Sequence, residues 1–75
     1  TVAKLVVFDK AGLDRAVLLS SNLLGASFRG ASLQGTDLRD TNLFQADFFK
    51  AAVDDKTDTF EANISRAFLY EWRPR

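Results

Sequence analysis

The 75-residue chain contains no cysteine, no histidine and no methionine. Without cysteine it can form neither a disulfide nor a thiolate zinc site, and the redox compartment cannot be read from it. Without histidine, and with a single tyrosine, it lacks the usual general bases and the partners that activate a nucleophile. Ser20, Ser21, Ser27, Ser32 and Ser65 therefore have no base beside them, and the sequence reads as non-enzymatic and free of cofactors. A surplus of charge is missing as well. Ten Lys and Arg balance ten Asp and Glu with both signs interspersed, so there is no basic stripe of the kind that nucleic acid rewards. No apolar run approaches the ~20 residues of a membrane span, and the start Thr1-Val2-Ala3-Lys4-Leu5-Val6-Val7 reads as a strand without the long apolar region or cleavage site of a secretory signal. The expected location is the cytoplasm. No initiator Met precedes that apolar start, so the chain is expected to be part of a larger bacterial protein.

What the sequence does have is a period of five. Phe8, Leu13, Leu18, Leu23, Phe28, Leu33, Leu38, Leu43 and Phe48 form an unbroken series, continued by Val53. A helix would scatter such a series around its circumference, and a flat strand would send successive members to opposite faces. Burying every fifth side chain on one inside requires a corner once per repeat, which is a solenoid of short straight segments. Small residues set the phase: Ala11, Ala16, Ser21, Ala26, Ala31, Thr36, Thr41, Ala46 and Ala51 each stand two places before a large one. Gly25, Gly30 and Gly35 recur at the corner.

Units such as Ala26-Ser27-Phe28-Arg29-Gly30, Ala31-Ser32-Leu33-Gln34-Gly35 and Thr36-Asp37-Leu38-Arg39-Asp40 closely resemble the pentapeptide repeat. The resemblance implies an all-β fold, a right-handed quadrilateral β-helix of about three coils, each with four five-residue sides. Residues twenty apart should then stack roughly 4.8 Å from one another. The residues agree. Phe8, Phe28 and Phe48 are spaced by twenty with Leu at every central position between, which predicts a stack of three rings. Asn22 and Asn42 are also twenty apart but Asn63 follows at twenty-one, which places a one-residue insertion between Val53 and Asn63. The organisation expected is one domain: regular repeats over 6–55, an irregular corner over 56–61 with Phe60 folded inward, last repeats over 62–71 and a tail over 72–75. Leu69 should cap the Phe stack. Asp54, Asp55 and Asp58 lack the spacing, glycine and distal Glu of a calcium loop and read as a solvated corner, so no metal site is expected.

The position after each central residue points outward, and there the chain places Leu19, Leu24, Phe44 and Phe49. Leu24 and Phe44 share one side. Phe49 adjoins Arg29, and Tyr70 continues its column. Contiguous exposed apolar surface beside an Arg marks a protein contact, so Leu19, Leu24, Arg29, Phe44, Phe49 and Tyr70 are the candidate binding residues for a protein partner or a missing domain of the same protein. Phe68, Leu69 and Trp72 are the candidate lid over the last coil, or a seam through which two copies pair end to end. The functional expectation is a non-catalytic scaffold with a rigid wall. The alternative is a structural spacer or end cap, with a looser similarity to the pentapeptide tails of type VI secretion accessory proteins. Some members of the family imitate DNA and occupy a topoisomerase, which implies a further alternative. A neutral chain of three coils departs from the long, strongly negative rod that such mimicry needs.

Overall fold

The computed structural model describes residues 6–70 and 72. The strand expected over 1–7 falls outside them except for Val6 and Val7, as do residue 71 and the tail beyond Trp72. The backbone returns on itself every twenty residues. Val7 pairs with Ser27, Gly12 with Ser32, Val17 with Asp37 and Asn22 with Asn42, all parallel, and the columns continue to Asp47, Ala52, Asp58 and Asn63. These columns define four sides, numbered here by their inward residues: side 1 (Phe8, Phe28, Phe48), side 2 (Leu13, Leu33, Val53), side 3 (Leu18, Leu38) and side 4 (Leu23, Leu43, Ile64). Regular strand is scarce. Among the described residues only β1 (Asp47–Phe48) and β2 (Phe68–Leu69) qualify, a parallel pair in the register Asp47↔Phe68 and Phe48↔Leu69. A five-residue unit that gives two residues to a turn has room for little more than one bridging residue per side.

Most turns close with a bond from the next unit's first N–H to the inward residue's carbonyl, as in Ala11 N to Phe8 O at 3.0 Å and Ala31 N to Phe28 O at 3.0 Å. The turn's last central residue has positive φ, a role glycine fills without strain at Gly30 (69°) and Gly35 (70°). Lys10, Arg15, Ser20, Asp40, Gln45, Lys50, Glu61 and Arg66 adopt the same conformation at 57–63°. For an L side chain this costs about 1–2 kcal/mol, and it persists because the stacking fixes it. The N–H groups of Lys10, Arg15 and Ser20 are tied to the level above at Arg29 O (2.9 Å), Gln34 O (2.8 Å) and Arg39 O (2.9 Å).

The middle level is sealed. Phe28, Leu33, Leu38 and Leu43 are wholly inaccessible, with Ala26, Ala31, Thr36 and Thr41 beside them. The predicted ring stack is present: Phe8 and Phe28 lie 5.1 Å apart at 16°, Phe28 and Phe48 4.9 Å apart at 4°. Leu69 pairs with Phe48 along the backbone, but the ring that closes the stack is Trp72, edge-on to Phe48 at 4.9 Å and 74°. Leu69 thus stands above the stack, half-buried against the core as expected, and Trp72, another of the candidate lid residues, packs against the last ring beside it. Where threonine replaces alanine as the small inward residue, its hydroxyl bonds the carbonyl one level down, Thr36 to Leu13 O at 2.8 Å and Thr41 to Leu18 O at 2.9 Å.

The bridge spacing changes from twenty to twenty-one between Ser32↔Ala52 and Asp37↔Asp58. The insertion therefore lies between Ala52 and Asp58, in the turn after Val53. It is held by Asp54, whose Oδ1 accepts from Gly35 N (3.0 Å), Lys56 N (3.0 Å) and Thr57 N (3.1 Å). Those N–H groups favour the charged form and hold the Asp54 carboxyl below the ordinary range, Gly35 contributing most. Thr57 then resumes the pattern by bonding Leu33 O at 2.7 Å. Phe60 does not fold inward: it is 63% exposed, and Thr59, 6% exposed, is the inward residue of side 3. Register decides this rather than hydrophobicity, since Leu38 N to Asp58 O at 2.7 Å and Asp40 N to Phe60 O at 3.0 Å leave Thr59 directly above Leu38.

Candidate interaction surface

The outward residues form columns as regular as the inward ones. From the second level on, two hydrogen-bonding solutions hold most of the turn N–H groups that follow an inward residue. Where Asp or Asn precedes the inward residue, its own Oδ1 accepts that N–H: Asp37 for Arg39 (3.1 Å), Asn42 for Phe44 (3.2 Å), Asp47 for Phe49 (3.0 Å), Asp58 for Phe60 (3.0 Å) and Asn63 for Ser65 (3.1 Å). Where serine precedes it, the acceptor comes from the level below. Asp9 accepts from Ser27 Oγ and from Arg29 N (3.2 Å), and Asp14 accepts from Ser32 Oγ and from Gln34 N (3.0 Å). The asparagine ladder is formed at its first rung, Asn42 Nδ2 to Asn22 Oδ1 at 3.3 Å.

On side 1 the column Arg29, Phe49, Tyr70 is assembled as the spacing predicts. The Arg29 guanidinium lies 5.0 Å from the Phe49 ring centre, and Tyr70 meets the same ring edge-on at 5.1 Å. Two more side chains join it. Phe68 tilts against Phe49 at 5.9 Å and Lys50 Nζ comes within 5.4 Å of its centre. Asp47 braces the group, holding Phe49 N with one oxygen and Arg29 at 3.6 Å with the other. At so exposed a site each cation–ring contact is worth about 0.5–1 kcal/mol.

The remaining candidates do not gather there. Leu24 and Phe44 stack on side 4 but are half-buried, and Leu19, 43% exposed, sits on side 3. Of the expected lid residues, Trp72 is buried and Leu69 half-buried, whereas Phe68 points outward and is 53% exposed. Side 3 also carries Val17 and Phe60, which the sequence reading missed. Counting by twenty-one across the insertion would have put Phe60 in the column of Leu19 and Arg39. Between Phe60 and Leu19, Arg39 and Asp37 form a two-pronged ion pair (2.9 and 2.8 Å). The guanidinium lowers the Asp37 carboxyl, and the carboxylate in turn raises Arg39.

A concavity of about 540 Å³ is an open groove lined by Asp14, Arg15, Gln34, Gly35, Asp54 and Lys56. Its two carboxylates are already engaged with backbone N–H groups, and no cluster of three potential metal ligands occurs among the described residues. The pentapeptide-repeat family model matches residues 8–48 in eight copies, more than half of the chain. This chain is a pentapeptide-repeat protein. No curated protein and no solved structure matches it. The matched pentapeptide repeats stop at Phe48, so the insertion, Phe60 and the Phe68–Tyr70 part of the aromatic column lie beyond them.

Proposed function

We propose that this pentapeptide-repeat chain is a non-catalytic protein-interaction module, a right-handed quadrilateral β-helix of about three coils that presents side 1 as a rigid binding face. The support for the coil is the parallel pairing at twenty residues with a turn at every fifth. The observation that carries the binding role is the cluster on Phe49: one aromatic ring held between a guanidinium, an ammonium and two further rings, with Phe68 left 53% exposed. Aromatic residues beside arginine dominate interface energy. A scaffold that fixes them on consecutive levels removes the ordering cost that flexible surfaces incur on binding. The half-buried Leu24 and Phe44 add less contact area, so side 1 takes precedence over side 4.

The test compares affinity enrichment from a bacterial lysate using the wild type and the double variant Arg29→Glu with Phe68→Ser. A partner bound through side 1 is enriched by the wild type and lost with the variant. Equal enrichment by both, with Leu24→Ser and Phe44→Ser also silent, would reject the face.

A further inference from the structure

Among the described residues five large apolar side chains are exposed, and all five lie on two of the four sides. Val7 (66%) and Phe68 (53%) belong to side 1; Val17 (69%), Leu19 (43%) and Phe60 (63%) belong to side 3. Sides 2 and 4 have none, and they separate sides 1 and 3 around the coil.

The charges divide in the same way. Side 3 and its corner carry Asp37, Asp40, Asp58 and Glu61 against the single base Arg39. Among the described residues, side 1 and its corner carry Lys10, Arg29 and Lys50 against Asp9 and Asp47, and both acids are engaged within the side. The vertical order also matches. Each side exposes apolar side chains at its foot (Val7; Val17 and Leu19) and again at its top (Phe68; Phe60), with charged neighbours beside them. Each has a charged pair in the middle, Arg29–Asp47 and Arg39–Asp37.

We infer that copies of this chain associate side by side, side 1 of one copy against side 3 of the next, with their coils parallel. This rests on side 1 being an interaction face and names a second copy as its occupant. The contact uses two different patches, so it does not close on itself and generates an open row of molecules. Each face is three to four levels high on a body only 20–23 Å across. It buries less than the ~800 Å² per partner of stable complexes, so a dissociation constant of roughly 0.1–1 mM is expected. Exposed complementary charge further makes the contact salt-sensitive.

The experiment is sedimentation equilibrium on the 75-residue chain from 10 μM to about 2 mM, bracketing that dissociation constant, in low salt and in high salt. The wild type should grow progressively in mass with concentration, less so in high salt. A side-1 variant (Lys50→Glu with Phe68→Ser) and a side-3 variant (Phe60→Ser with Glu61→Lys) should each remain monomeric. An equimolar mixture of the two should stop at a one-to-one dimer, since each retains only one working face. All four substituted positions are outward, and circular dichroism of each variant verifies folding. A wild type that is monomeric throughout, or that halts at a closed dimer, overturns the inference without reference to any variant. If that monomeric wild type still enriches a foreign protein through side 1, the scaffold reading stands and only the self-association is refuted.

Discussion

Replacing Phe28 by alanine tests the stacked core at its centre. The ring is fully inaccessible, sandwiched between Phe8 at 5.1 Å and Phe48 at 4.9 Å, with Leu33, Leu38 and Leu43 completing its level. Neighbouring levels are tied by backbone hydrogen bonds and cannot collapse into the void, so the loss should approach the upper part of the ~3–5 kcal/mol range for such truncations. A 75-residue domain has only about 4–11 kcal/mol in total, so the variant should be largely or wholly unfolded. Phe28→Leu separates size from stacking: it keeps most of the volume and forfeits two ring–ring contacts of about 0.5–1.5 kcal/mol each, giving an expected loss of about 1–3 kcal/mol. The assay is urea denaturation followed by circular dichroism and by the fluorescence of Trp72, the chain's only tryptophan. Its ring rests on Phe48 at the far end of the same stack. Coincident midpoints by both probes are expected for two-state unfolding. A loss below about 1 kcal/mol for Phe28→Ala would refute a rigid stack of levels.

Three further outcomes follow from the geometry. Asp9→Ala should cost about 0.5–1.5 kcal/mol by stranding Arg29 N and Ser27 Oγ. Ser27→Asp should repair that variant yet destabilise the wild type, where two carboxylates would meet; a double-mutant cycle of denaturation energies with no change of sign would refute the cross-level capping. The Asp54 carboxyl is held below its ordinary range by Gly35 N, so its contribution is fully present above about pH 4 and is lost as pH falls through the lowered value. Asp54→Asn should therefore flatten the acid limb of a pH–stability curve while leaving its alkaline side unchanged in slope. Thr59→Val should raise stability by about 1 kcal/mol, whereas Phe60→Ser should change it by less than about 0.5 kcal/mol; the reverse ranking in thermal denaturation would show that Phe60, not Thr59, faces inward.

The parts legible in the sequence are those that a fixed period determines. Phe8, Phe28 and Phe48 had to stack once their spacing was read, and Arg29, Phe49 and Tyr70 had to share a column for the same reason. Phe60 was misplaced because, across an insertion, size and hydrophobicity point to the larger residue while backbone register points to its neighbour, and register prevailed. Thr59 is tolerated inside because it occupies the last full level rather than the sealed middle one. Trp72 lies past the final bridging pair, where the period no longer assigns a direction; its composition marked it as a lid, but its specific contact with the Phe48 ring was not readable. The engagement of Asp9 and Asp14 with the serines above them depends on which atoms face across a level, which a count of positions does not contain.

That last arrangement gives the levels an address. The backbone is periodic, yet a level with Ser27 and Ser32 fits above one that offers Asp9 and Asp14, while the level above it brings its own acceptor in Asp47. Excising residues 26–45 would preserve every inward apolar contact in kind and still put Asp47 in the place of Ser27, where Asp9 of the level below reaches it, two like charges brought together on adjoining columns. Coils that look interchangeable from inside are therefore ordered from outside. Shuffling or deleting one should fail through its polar edge rather than through its core.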